Sequence, residues 1–337
     1  AIGFASGLYC APGSFSNLGE VIELAKVAAQ YDGVYDSHMR SEGKGVQDAL
    51  EELITIAREA NIPAHVSHIK ALGPGVWGQS KTMIARIEAA RADGLSITAD
   101  QYPWTASSTS ISAALLPRWL KAGGKDKLQE RLRDPALRQR IQTESAKLLR
   151  GRGGADSILL TVTPDEFPQW EGKTLTEAAA AENLSPVDMT IKIVQSGGAK
   201  IASFNMNEDD IINFMKQPWV MTGSDGGNGH PRKFASFPKK YRDYVTAKSV
   251  MPVHTFIHQS SGLTADTFGL CDRGYLRAGY AADIAIINPD TFAPVADYEN
   301  PYELSRGVKT LLVNGEFAID GGKAQTALAG RVVKPCR

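Results

Sequence analysis

The sequence predicts an α/β fold: a (β/α)8 TIM-like barrel, incomplete within this chain, interrupted by an insertion and followed by a small C-terminal β domain. Three observations predict it. Short apolar runs at 2–8, 33–38, 64–68 and 96–100 start 31, 31 and 32 residues apart. Helical patterns fill the intervals, at 18–30, 46–61 and 81–93. After Gly279 the pattern changes to short β runs. Strands alternating with helices at about thirty residues mean βαβ units and a parallel sheet, and the even spacing favours a barrel over an open sheet.

The elements follow in order. In the middle helical pattern Val46, Ala49, Leu50, Leu53, Ile54 and Ala57 form one apolar stripe, with Glu51, Glu52, Arg58 and Glu59 mostly outside it. Residues 1–112 are therefore assigned to barrel βα units. The rhythm breaks over 113–198. There 121–152 is highly charged and helical in pattern and 164–170 is loop-like, which reads as an insertion, a lid or a substrate-specificity module. It returns over 199–279 with a strand at 200–204, a helix at 208–216 capped by Asn207, a strand at 219–224 and a last helical stretch at 249–261. Residues 280–337 are assigned to the small β domain, with runs at 282–287, 310–314 and 316–319 and a hairpin signal in Val313-Asn314-Gly315-Glu316.

Composition bounds the function. The 337 residues are 43% hydrophobic and 22% charged, ordinary globular usage that excludes a disordered or fibrous chain. Lys and Arg number 37, as do Asp and Glu, so no basic excess exists to hold nucleic acid or an anionic membrane. No apolar run approaches the roughly eighteen residues of a membrane span. Cys10, Cys271 and Cys336 are far apart and odd in number. They suggest no disulfide framework and fit a reducing, cytoplasmic compartment. The chain opens as a strand from its first residue, and such a strand needs neighbours on both sides. The expectation is an upstream segment, holding the first strands of barrel and β domain and any targeting signal, carried as a separate chain or removed.

In a parallel barrel the active site lies at the carboxyl ends of the strands. Here those ends read Tyr35-Asp36-Ser37-His38, His65-Val66-Ser67-His68-Ile69-Lys70, Thr98-Ala99-Asp100-Gln101-Tyr102 and Thr222-Gly223-Ser224-Asp225. Imidazoles and a carboxylate around an open position are what a hydrolytic zinc site requires. His65 and His68 differ by three positions and point to opposite strand faces, so His68, nearer the end, is taken as the one at the mouth and His65 as packed behind it. Asp100 reads as a strand-end residue bonding to backbone amides, in preference to a second carboxylate at a metal. His254 and His258, four apart on a helical pattern, lack the Glu of HExxH and read as structural. His230 either lines the mouth or caps its turn. The glycines around Asp225 do not make a phosphate loop; they let the backbone turn sharply.

Together, Ser37-His38-Met39-Arg40-Ser41-Glu42, Ser67-His68-Ile69-Lys70, Asp100-Gln101-Tyr102-Pro103-Trp104, Gly223-Ser224-Asp225-Gly226 and His230-Pro231-Arg232 resemble the N-acyl-D-amino-acid deacylases (D-aminoacylases) of the amidohydrolase superfamily. Arg273-Gly274, Gly279-Tyr280-Ala281-Ala282-Asp283-Ile284 and Val313-Asn314-Gly315 resemble that superfamily's passage from barrel to small β domain. The resemblance implies a barrel holding one or two Zn²⁺ ions that hydrolyses the amide of a small N-acylated D-amino acid. By motif position His38 and His68 would be zinc ligands and Asp225 the general base and acid. Lys70 would meet the substrate carboxylate, with Arg40 sharing it, and Tyr102 and Ser108 would line the pocket. Two features of the family do not occur in this sequence: the opening His-x-His strand and an upstream metal-bridging Cys or acid. Cys10 lacks the context of that cysteine. The rival readings are a cyclic-amide hydrolase of the dihydroorotase or hydantoinase kind, and a non-catalytic subunit or paralogue.

Overall fold

The computed structural model describes residues 1–336. In chain order the first eight strands are β1 (Gly3–Gly7), β2 (Val34–His38), β3 (Ala64–Val66), β4 (Ile97–Gln101), β5 (Ala106–Ser110), β6 (Ile158–Val162), β7 (Lys200–Phe204) and β8 (Val220–Thr222). Strands β1, β2, β3, β4 and β8 form one five-stranded sheet in that order, every pairing parallel. The register pairs Gly7 with His38, Ser37 with Val66, Val66 with Ala99 and Gln101 with Thr222, so all the carboxyl ends share one edge.

Helices α1 (Leu18–Ala29), α2 (Val46–Glu59) and α3 (Ser80–Ala92) are the crossovers. In α2 the predicted stripe is buried: Leu50 and Ile54 are fully covered and pack with Tyr35, Val66 and Ile97 of the sheet in one core. Each such side chain stabilises by about 1.5–3 kcal/mol. An exposed ion pair such as Arg58–Asp93 contributes at most about 1 kcal/mol, so packing rather than surface charge fixes the helices on the sheet.

A second sheet sits beside the first. It has the order β5-β7-β6, both pairings antiparallel, and carries the helices Ile111–Leu115, Gly124–Arg133, Arg138–Gly151, Leu175–Ala181 and Pro186–Gln195. Its own core includes Leu160, Trp170, Met189 and Ile201. This corrects one expectation: the strand at 200–204 does not resume the parallel sheet. Its middle residues are buried between β5 and β6, and a five-residue apolar run carries no signal of which neighbour it will choose. The helix Glu208–Met215 follows, with Asn207 accepting from the Asp209 amide at its N-cap.

The chain ends in a four-stranded antiparallel sheet of β9 (Ile284–Ile287), β10 (Val308–Val313), β11 (Glu316–Asp320) and β12 (Lys323–Ala324). Asn314 and Gly315, at φ 49° and 85°, make the two-residue hairpin between β10 and β11. Cys271 and Cys336 are joined in a disulfide, correcting the expectation of none. Sixty-five residues separate them, and spacing says nothing about ends that the fold brings to a Cα separation of 5.8 Å. No helix among the described residues is long and apolar enough to cross a membrane.

Candidate active site

The shared edge of the parallel sheet delivers the chemistry. β2 ends in His38. β3 ends at Val66, and the turn after it carries His68 in a left-handed conformation, φ 40°. A conformation unfavourable for a residue with a side chain costs about 1–3 kcal/mol and must be held by its surroundings. Asp100, one residue from the end of β4, holds it: its Oδ1 accepts the His68 amide at 2.7 Å and lies 3.3 Å from His65 Nε2. Asp100 is thus the backbone-bonding residue the sequence suggested. Burial alone pushes its carboxyl up, but the bonds from His65 and the His68 amide reverse this and keep it below the usual range. His65 is buried behind the mouth and also bonds Thr98 at 2.9 Å. The alternation argument does not extend to His68, because the strand stops before it; a turn, not a pleat, aims that ring.

The rings of His38 and His68 meet edge to face, centroids 4.5 Å apart. Glu42, in the loop before α2, reaches between them. Its Oε1 lies 3.0 Å from His68 Nδ1 and its Oε2 3.9 Å from His38 Nε2. One ligand atom from each of these three residues falls within 4.8 Å of the others, a group able to hold a metal ion. His38 Nε2 is buried and has no hydrogen-bond partner. Burial lowers the His38 pKa to about 4, so the ring is neutral at neutral pH, the form a metal requires. Burial works to raise the Glu42 pKa, but Lys70 at 2.5 Å, together with His38 and the bond from His68, outweighs it and holds the carboxyl well below its usual range. Two imidazoles and a carboxylate are a donor set suited to zinc.

Across a cavity of about 190 Å³ stands Asp225, just past β8. It too is left-handed, φ 46°. Gly223 permits the approach: a Cβ there would fall 1.9 Å from Asp100 Oδ2. Asp225 Oδ2 is 2.8 Å from Nη2 of Arg232, a residue only 3% exposed. The Arg232 guanidinium lies 4.5 Å from the Tyr102 ring centroid, and its Nε and Nη1 are buried without partners. Burial raises the Tyr102 pKa far above 10, so the phenol stays protonated. Ser108, on β5, lines the same cavity.

Most residues singled out from the sequence meet here, with one correction. Arg40 does not face the cavity chemistry. Its Nε and Nη2 grip Glu52 of α2, Nη1 donates to the Ser14 carbonyl and Nη2 also donates to that of Ser16. Arg40 follows His38 by two positions, but the chain has already left the strand, and the nearest carboxylate claims the guanidinium. Lys70 lies at the cavity with its ammonium bonded to Glu42 and to His68 Nδ1. His254 and His258 are exposed on the helix Val253–Ser260 and belong to no metal-capable group among the described residues. His230 is fully buried: Nε2 donates to the Ala106 carbonyl at 3.2 Å and Nδ1 accepts the Arg232 amide at 3.1 Å. It fixes the turn that presents Arg232. Glu42 and Arg232 carried no role in the sequence reading. The signals were present in the fourth position after His38 and in the arginine of His230-Pro231-Arg232.

No family model matches the chain. It is 32% identical to the D-aminoacylase of Alcaligenes xylosoxydans xylosoxydans, a match covering 98% of this chain and 61% of that protein. A solved D-aminoacylase, described as defining a novel subset of amidohydrolases, superposes with a TM-score of 0.81 at 30% identity, over 99% of this chain and 62% of that one. The N-acyl-D-glutamate deacylase of Bordetella bronchiseptica, solved with zinc and a phosphonate mimic of the tetrahedral intermediate, superposes with a TM-score of 0.79 at 29% identity, over 95% and 61%. The chain spans about three-fifths of the length of these relatives.

Proposed function

We propose, from the premise that this chain is a relative of the D-aminoacylases along nearly its whole length, that the protein carrying it hydrolyses the amide bond of N-acyl-D-amino acids. The products are a free D-amino acid and a carboxylate. The observation that carries the reading is the edge-to-face pair of imidazoles with Glu42 on one wall of the cavity and Asp225 on another. The five parallel strands would then be part of a (β/α)8 barrel, the fold type of the amidohydrolase relatives.

His38, His68 and Glu42 are the residues that would hold Zn²⁺, the ion bound by the Bordetella bronchiseptica relative. When bound, the ion lowers the pKa of water toward about 7 and polarises a carbonyl oxygen. The protein's own side chains do the rest. Asp225 accepts a proton from the attacking water and passes it to the amide nitrogen as the C–N bond breaks, without which the amine is a very poor leaving group. Arg232 has two free N–H groups facing Tyr102, and takes the substrate α-carboxylate in the directional way that only a guanidinium can. Lys70 adds charge at the same end, and the protonated Tyr102 and the Ser108 strand close the pocket. Fixing the scissile carbonyl, the α-carboxylate and the side chain at three points reads the configuration at Cα.

The test is to offer the zinc-loaded protein N-acetyl-D-amino acids, their L enantiomers and hydantoins, and to follow amine release. Turnover confined to the D series is expected. Hydantoin opening in place of it would favour the cyclic-amide reading, and a zinc-loaded protein inert to all three would be a non-catalytic one.

A further inference from the structure

Three cations, Arg152, Arg118 and Lys121, gather around Tyr9, and Arg152 among them lines the cavity. Arg152 is 6% exposed and lines the cavity with Tyr9 and Cys10. Its Nη2 donates to the Tyr9 hydroxyl at 3.0 Å and its Nε to the Ala114 carbonyl at 3.3 Å. The Asn205 side-chain oxygen, with the amide turned to satisfy its neighbours, accepts from Nη1 at 3.1 Å. The Arg118 guanidinium lies over the Tyr9 ring, 5.1 Å from its centroid, with Nη2 donating to the Arg40 carbonyl. Lys121 lies near both: burial lowers its pKa, Cys10 works against this and Arg118 and Arg152 add to it, and its ammonium donates to the Ser112 carbonyl.

Every one of these acceptors is neutral. Among the described residues none of the three cations makes an ion pair, whereas Lys70 is answered by Glu42 and Arg232 by Asp225. A buried charge is normally paired, because desolvation costs several kcal/mol and neutral hydrogen bonds recover only part of it. Arg152 is held rigid by three fixed acceptors, aimed at a cavity and left without a counter-charge.

We infer that the Tyr9 end of the cavity is a subsite for a second carboxylate on the substrate, with Arg152 as its contact and Arg118 and Lys121 supplying field. The inference rests on the deacylase reading and narrows it to substrates with two carboxylates: one for Arg232 and Lys70, the other for Arg152. The second carboxylate can belong to the amino-acid side chain or to the acyl group, and the two are separable by experiment.

The zinc-loaded protein is assayed on N-acetyl-D-glutamate against N-acetyl-D-glutamine, and on N-succinyl-D-alanine against N-acetyl-D-alanine. At least one acidic substrate is expected to exceed its neutral partner in kcat/KM by about tenfold or more, and which pair does so identifies the source of the carboxylate. Arg152→Gln is expected to collapse that ratio. Lys121→Met, at a half-buried position with one backbone contact, should lower it by a smaller factor and serves if the Arg152 variant does not fold. Neutral substrates turned over as fast as acidic ones, or a ratio untouched by Lys121→Met and Arg152→Gln, would overturn the subsite while leaving the deacylase reading intact. Absence of turnover on all four substrates would instead remove the deacylase reading, and the subsite with it.

Discussion

Asp225 Oδ2 sits 2.8 Å from Arg232 Nη2, and the arginine is the buried partner: its side chain is 3% exposed against 35% for the aspartate. The pair joins the proposed proton carrier to the proposed carboxylate anchor. Arg232 meets Asp225 through one nitrogen, and two others are buried without a partner. Asp225→Asn should therefore retain substrate affinity and lose about a hundredfold or more in kcat. Arg232→Met should act on both, lowering kcat/KM about a hundredfold or more, with a marked rise in KM. Steady-state kinetics on one N-acetyl-D-amino acid separates the two, and an Arg232→Met variant with unchanged KM would remove the anchor assignment.

Glu42 lies between the two imidazoles and neutralises Lys70. Replacing His68 with Ala takes one of three donors away, and Glu42→Gln takes away the only charged one. Both variants should bind less zinc than the parent protein at equal free metal, measured by equilibrium dialysis with elemental analysis. Full zinc stoichiometry in His68→Ala would place the metal elsewhere.

Arg40 ties α2 and the loop after β1 together through Glu52, Ser14 and Ser16. Its role is structural, so Arg40→Met should lower unfolding free energy by about 1–3 kcal/mol, the range for charge-assisted hydrogen bonds lost from a half-buried site. KM should not move. A variant of parental stability with a raised KM would restore the substrate role read from the sequence.

His230 carries a pH prediction. Burial, followed by the neighbouring Arg232 charge, lowers its pKa to about 3. The unfolded chain takes up a proton near pH 6.5, which the folded chain refuses until about pH 3. Between those values the unfolded state binds more protons. Stability from this group is thus full above pH 6.5 and is lost as the pH falls toward 3, by up to about 1.4 kcal/mol per pH unit. In His230→Phe that acid slope should be shallower, read from urea unfolding at pH 7 and pH 5. Parallel slopes in the two proteins would contradict it.

The sequence alone determined the parallel βα order, the apolar face of α2, the Asn207 cap, the Asn314-Gly315 hairpin and the strand ends at which the reactive side chains cluster. These are local properties. They depend on periodicity and on backbone preferences within a few residues, and both can be read along the chain. The tertiary structure decided which charge meets which. It gave Arg40 to Glu52 and Arg232 to Asp225, placed Glu42 beneath two histidines from different strands, drew β7 into the antiparallel sheet and joined Cys271 to Cys336. Ion pairing and strand choice depend on distance in space and on burial. Residues 12, 7 and 65 positions apart are then equally eligible partners, and only the packed chain selects among them.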